Sequence, residues 1–134
     1  MKVLFSLFFS LMTLAVMGQS AKQPIRIRFE RGAITAQVKG QLTARQENAY
    51  YVIDAKAGQH MMVHTASLST GGIANQMVPL ASVASPSGKQ NGDKSVLNFN
   101  AVLTETGTYT IRVGHNLMAT NNPAGPFLLE IIIW

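Results

Sequence analysis

The stretch Leu103-Thr104-Glu105-Thr106-Gly107-Thr108-Tyr109-Thr110-Ile111-Arg112-Val113 decides the fold class. Gly107 marks a turn, and beyond it Tyr109, Ile111 and Val113 share one face because side chains alternate along a strand. A polar loop from His115 to Pro126 follows, and Phe127-Leu128-Leu129-Glu130-Ile131 then reads as a closing strand that forms a hairpin with the first. This pattern belongs to an antiparallel all-β chain, and it directs attention to loops rather than to a catalytic pocket.

The segments before this stretch follow the same logic. Ile25-Arg26-Ile27-Arg28-Phe29 alternates apolar and basic residues, and Glu30-Arg31-Gly32 turns it. Ile34, Ala36 and Val38 repeat the alternation, with Gln37 and Lys39 outward and Gly40 ending the segment. Tyr50 to Ala55 is the next strand, reversed by Lys56-Ala57-Gly58-Gln59. His60 to Ser67 then places Met62 and His64 on one face and Met61 and Val63 on the other. Residues 68–74 form a loop rich in Ser, Thr and Gly. Met77 to Ala84 is apolar enough for a buried strand, although Pro79 pushes it toward an edge or a bulge. Ser85-Pro86-Ser87-Gly88 and Asn91-Gly92-Asp93 are turns, and Val96 to Leu103 is a further strand. No segment beyond the first 21 residues sustains a 3.6-residue period. The expected fold is all-β, an antiparallel β-sandwich of jelly-roll type with about eight strands, with a small barrel as its competitor.

The N-terminus speaks to compartment. Met1-Lys2 is followed by an apolar run from Val3 to Val16 and by small residues at Gly18, Ser20 and Ala21. Residues 1–21 therefore read as a secretory signal peptide, cleaved after Gly18 or Ala21 and too short for a membrane span. The rest, residues 22–134, fits one β-sandwich domain, secreted or periplasmic, with no membrane attachment after cleavage. The sequence has no Cys, so the core has to form without disulfides. Loss of Lys2 leaves ten Lys and Arg against six Asp and Glu. Those positive charges are scattered and lack interleaved aromatic residues, which argues against nucleic acid.

No catalytic or cofactor pattern is complete. His60 and His64 are four residues apart, a metal-binding spacing on a helix. On a strand that spacing spans ~13 Å, too far for one ion. The serines lack a Gly-x-Ser-x-Gly elbow. The carboxylates Glu30, Glu47, Asp54, Asp93, Glu105 and Glu130 form no obvious pair across a cleft. The expectation is a binding protein that is not an enzyme and needs no cofactor or metal. A glycan is one candidate partner, through Tyr50 or Tyr51, which must face opposite sides. A structural accessory domain is another reading. The apolar C-terminal run to Trp134 resembles the end of an outer-membrane barrel strand, but a core strand with a packed Trp134 explains it more simply.

Several motifs carry a family likeness. Ile27-Arg28-Phe29-Glu30-Arg31-Gly32, Ala36-Gln37-Val38-Lys39-Gly40, Tyr51-Val52-Ile53-Asp54-Ala55-Lys56-Ala57-Gly58-Gln59 and the stretch 103–113 resemble the bacterial periplasmic inhibitors of g-type (goose-type) lysozyme. The same pattern is similar to the wider pre-peptidase C-terminal β-sandwich group. The resemblance implies a periplasmic protein whose partner is a lysozyme, g-type favoured, blocked by loops inserted into its catalytic cleft. The residues implied are Ser67, Ser69, Thr70, Gly71, Gly72 and Asn75 in one loop. His115, Asn116, Thr120, Asn121 and Asn122 in the last loop are the second set.

Overall fold

Alternation along each strand sorts the chain into an inner and an outer surface. In β3 (Ala49–Ala55), Ala49, Tyr51, Ile53 and Ala55 are buried, and in β8 (Gly107–His115) so are Tyr109, Ile111 and Val113. In β4 (His60–Ser67), Met61, Val63 and Thr65 turn inward, while β9 (Gly125–Ile133) buries Phe127, Leu129, Ile131 and Ile133. The computed structural model describes residues 23–72, 76–91, 98–116 and 120–134. The remaining strands among them are β1 (Ile25–Arg26), β2 (Thr35–Leu42), β5 (Pro79–Ala84), β6 (Gln90–Asn91) and β7 (Asn98–Val102). The signal-peptide reading of residues 1–21 lies outside the described residues.

Two sheets face each other. One has five strands in the order β1-β3-β8-β5-β6, the other four in the order β2-β9-β4-β7. All pairs are antiparallel except β1 with β3. The fold is the expected β-sandwich. Its connectivity corrects one expectation: β8 and β9 are not a hairpin, because each lies in a different sheet. Every connection except β5–β6 passes from one sheet to the other. The physical reason is that alternation buries one face of a strand whether the next strand pairs beside it or packs opposite it, and even the four-residue turn Lys56–Gln59 crosses between the sheets.

Three further expectations shift. The Ile25–Phe29 segment pairs only through Ile25 and Arg26, plus the Ile27 N–H bonded to the Val52 carbonyl at 2.9 Å. β2 continues past Gly40 to Leu42, with Gly40 opposite Phe127. Trp134 is 53 % exposed rather than packed. The strand expected from Met77 begins at Pro79 instead, and its outer neighbour β6 pairs only with Val83 and Ala84.

Gly40 leaves no room for a side chain. A Cβ there would lie 2.3 Å from Phe127 Cζ and 2.6 Å from the Tyr51 hydroxyl. The Phe127 and Tyr51 rings meet edge to face, with centroids 6.4 Å apart. The aromatic ring of β9 thus covers the glycine of the edge strand beside it. Desolvation at this site holds the Tyr51 hydroxyl above its ordinary pKa. On the far side of the core, the Tyr109 hydroxyl donates to the Glu105 carbonyl at 2.7 Å and accepts from the Glu105 N–H at 3.2 Å, fixing the β7–β8 turn.

A Gly40→Ala substitution should therefore cost about 3 kcal/mol in urea unfolding, the upper end of overpacking penalties. Adding Phe127→Leu should recover part of that loss, giving a non-additive double-mutant cycle. The β1–β3 edge supplies an acid-sensitive contact. The Thr108 hydroxyl and then Arg26, 2.8 Å away, hold the Asp54 carboxyl below the ordinary carboxylate range. A depressed folded-state pKa stabilises above the unfolded value and loses that stability as pH falls through the folded one. Asp54→Asn should lower Tm at neutral pH and flatten its fall below about pH 4 in a calorimetric series.

Candidate functional site

The strand register brings three loops to one end of the sandwich. Ser67 stands opposite Phe127, His115 opposite Pro79, Leu42 opposite Gly125 and Ala49 opposite Val113. The β4–β5, β8–β9 and β2–β3 connections therefore emerge together. The first two contain the residues expected from the sequence. The third, residues 43–48, is legible only in three dimensions, since nothing in its composition marks it out. It is a compact turn in which the Thr43 hydroxyl accepts the Gln46 N–H at 2.9 Å.

The two expected loops are bonded to one another. The Leu68 N–H donates to the Pro126 carbonyl at 3.0 Å, and the Asn116 N–H to the Val78 carbonyl at 2.8 Å. The Thr120 hydroxyl donates to the Gln76 carbonyl at 2.7 Å. Gln76 in turn donates through Nε2 to the Gly71 carbonyl at 2.9 Å, so Gln76 links both loops. Sequence reading missed Gln76, because a lone glutamine in a loop carries no signal of its partners.

These bonds divide the expected residues into two groups. Ser67 accepts the Ser69 N–H at 3.3 Å, and Asn122 Oδ1 caps the Ala124 N–H at 3.0 Å. A Cβ on Gly125 would lie 3.0 Å from the Ser69 hydroxyl, so Ser69 packs against the start of β9. Ser67, Ser69, Thr120 and Asn122 thus hold the loops in shape, and Asn116 belongs to the same framework through its backbone. Thr70, Gly71, Gly72 and Asn121 are exposed at the tip. Gly71 has φ of +130°, a backbone that side chains rarely adopt, and a Cβ on Gly71 or Gly72 would meet no atom of the described residues within 4 Å. Asn75 lies outside the described residues.

His115 stands apart from the tip. It lines a cavity of about 210 Å³ on the five-stranded sheet with Glu47, Asn48, Ser82, Arg112 and Gly114. Its Nδ1 is buried and has no hydrogen-bond partner among the described residues. His60 and His64 do not converge either: each bonds a different asparagine on the outer face of the four-stranded sheet, Asn100 and Asn98. No group of three or more His, Cys, Asp or Glu gathers at metal-binding distance among the described residues.

The tip is a set of backbone amides, hydroxyls and amide side chains on a braced base. Removing one brace should loosen it. Thr120→Val should lower stability by about 1 kcal/mol, the net worth of a typical hydrogen bond. Amide exchange should rise at Gln76 and Asn116 while core strands stay protected.

No family model matches the chain, and neither does any curated protein. Solved structures do. The periplasmic inhibitor of g-type lysozyme PliG from Aeromonas hydrophila superposes with a TM-score of 0.61 at 24 % identity, covering 83 % of this chain and 96 % of that one. Salmonella Typhimurium PliG gives 0.60 at 16 %, covering 84 % and 98 %. The pre-peptidase C-terminal domain of Bacillus anthracis collagenase gives 0.53 at 17 %, covering 81 % and 94 %. The chain therefore has the β-sandwich fold shared by the PliG inhibitors and the pre-peptidase C-terminal domain.

Proposed function

We propose that this protein is an exported, periplasmic inhibitor of a lysozyme, g-type favoured, and that it acts through the braced loop end. The observation that carries the reading is the joining of two polar loops at one end of a scaffold shared with PliG inhibitors. A lysozyme cleft is concave and holds carboxylates, and carboxylates are bound best by N–H and O–H donors that approach closely. Thr70, Gly71, Gly72 and Asn121 supply such groups without bulk. Ser67, Ser69, Thr120 and Asn122 keep the loops preformed, which lowers the entropy lost on docking. Asn75 and Asn116 complete the proposed contact region, with His115 at its margin in the cavity beside Glu47 and Asn48. The neighbours of known activity are inhibitors, and the site has donors for binding a partner rather than an assembled acid–base pair.

The test is a turbidity assay of cell-wall lysis by goose-type, chicken-type and invertebrate-type lysozymes, with and without the purified protein. Selective slowing of the goose-type enzyme is the expected result. Full rates for all three with excess protein would rule the proposal out. Gly72→Trp makes the assay residue-specific, because a side chain there meets none of the described residues. It should leave Tm unchanged and weaken inhibition at least ~10-fold, equivalent to ~1.4 kcal/mol of binding.

A further inference from the structure

The outer face of the four-stranded sheet carries a second arrangement, at the end remote from the loops. The register places Trp134, His60 and Val102 in one row. Thr35, Ile132, Met62 and Asn100 form the next, and Gln37, Glu130, His64 and Asn98 the third. Trp134 stacks on His60 with ring centroids 4.3 Å apart and planes within 9°. Trp134 remains 53 % exposed despite this stack, so part of the indole is open to solvent.

The polar groups on this face are organised. His60 Nε2 bonds Asn100 Oδ1, and His64 Nδ1 bonds Asn98 Oδ1. An oxygen acceptor assigns the proton to the bonded ring nitrogen, so in neutral histidine the other nitrogen accepts. Each bond engages the asparagine oxygen of an exposed side chain that also carries an NH₂ donor. Gln37 orients Glu130 through a 2.6 Å bond. Donors and acceptors thus stand side by side, the requirement for binding hydroxyl groups, which do both.

Charge and area narrow the occupant. The chain has a net charge of +5, yet these three rows contain no Lys or Arg and a single carboxylate. A strongly charged partner finds no complement here. The rows cover roughly 20 Å by 19 Å, about half of the ~800 Å² that each partner buries in a stable dimer. We propose that this face binds a neutral oligosaccharide, with the Trp134–His60 stack as the sugar-ring contact and Asn100, Asn98 and His64 as hydroxyl partners. The site lies on the opposite end from the lysozyme-binding tip, so it stands or falls independently of that reading.

Trp134 is the only tryptophan in the sequence, so its emission reports this face alone. Titration of the protein with neutral N-acetylglucosamine and glucose tetrasaccharides should give a saturable change in emission with at least one of them. Calorimetry should then show about tenfold weaker binding for Trp134→Ala. Asn100→Ala, at an exposed position that keeps the fluorophore, should weaken binding severalfold with Tm unchanged. Absence of binding to either sugar overturns the proposal, as does binding that Trp134→Ala and Asn100→Ala leave intact. A sugar-independent dimer that buries Trp134, detected by sedimentation and emission, overturns it as well.

Discussion

The contact in which Phe127 and Tyr51 meet over Gly40 is the constraint on which the rest of the structure depends. Sheets of a sandwich pack ~10 Å apart, and large side chains fill that space only if something opposite them is small. Here the small residue is a glycine on the edge strand β2. The ring that covers it belongs to β9, the strand next to it. The same pair closes the core at the loop end, because Phe127 stands opposite Ser67 and two residues from Gly125. The position of the β4–β5 loop therefore follows from a packing decision made inside the core.

Connectivity amplifies this dependence. Because every connection except β5–β6 crosses between sheets, both sheets are assembled mostly from strands distant in sequence. β2 pairs with β9, and β3 with β8, across most of the chain. Non-local pairing of this kind makes the fold depend on interdigitated side chains rather than on tight turns. It also brings three separate loops to one end and ties two of them together. A tip with few large side chains can keep its shape because its base is bonded to β9 at Pro126 and to Gln76 and Val78, just before β5.

The two ends of the molecule differ in chemistry. The loop end exposes small polar residues and backbone amides on a braced support. The remote end of the four-stranded sheet exposes an aromatic stack and paired imidazole and amide groups in a nearly uncharged field. Strand alternation produces both, since residues excluded from the core must face solvent, where their chemistry is free to be used.

Alternation by itself determined that the chain is all-β, which residues face inward in β3, β4, β8 and β9, and where the turns at Lys56–Gln59 and Ser85–Gly88 fall. These are local properties, set by the two-residue period of a strand and by turn chemistry. The motifs around Tyr51–Gln59 and 103–113 also carried the likeness to the inhibitor fold. Only the tertiary structure decided that β8 and β9 belong to different sheets, because a two-residue period is the same whether the next strand pairs beside or packs opposite. It decided that Gly40 sits within a strand, since the need for glycine arises from Phe127, 87 residues away in sequence. It also separated Thr70, Gly71, Gly72 and Asn121 at the tip from Ser67, Ser69, Thr120 and Asn122 in the base. Polar side chains of the same type become contacts or braces according to which carbonyls and amides the fold brings within reach.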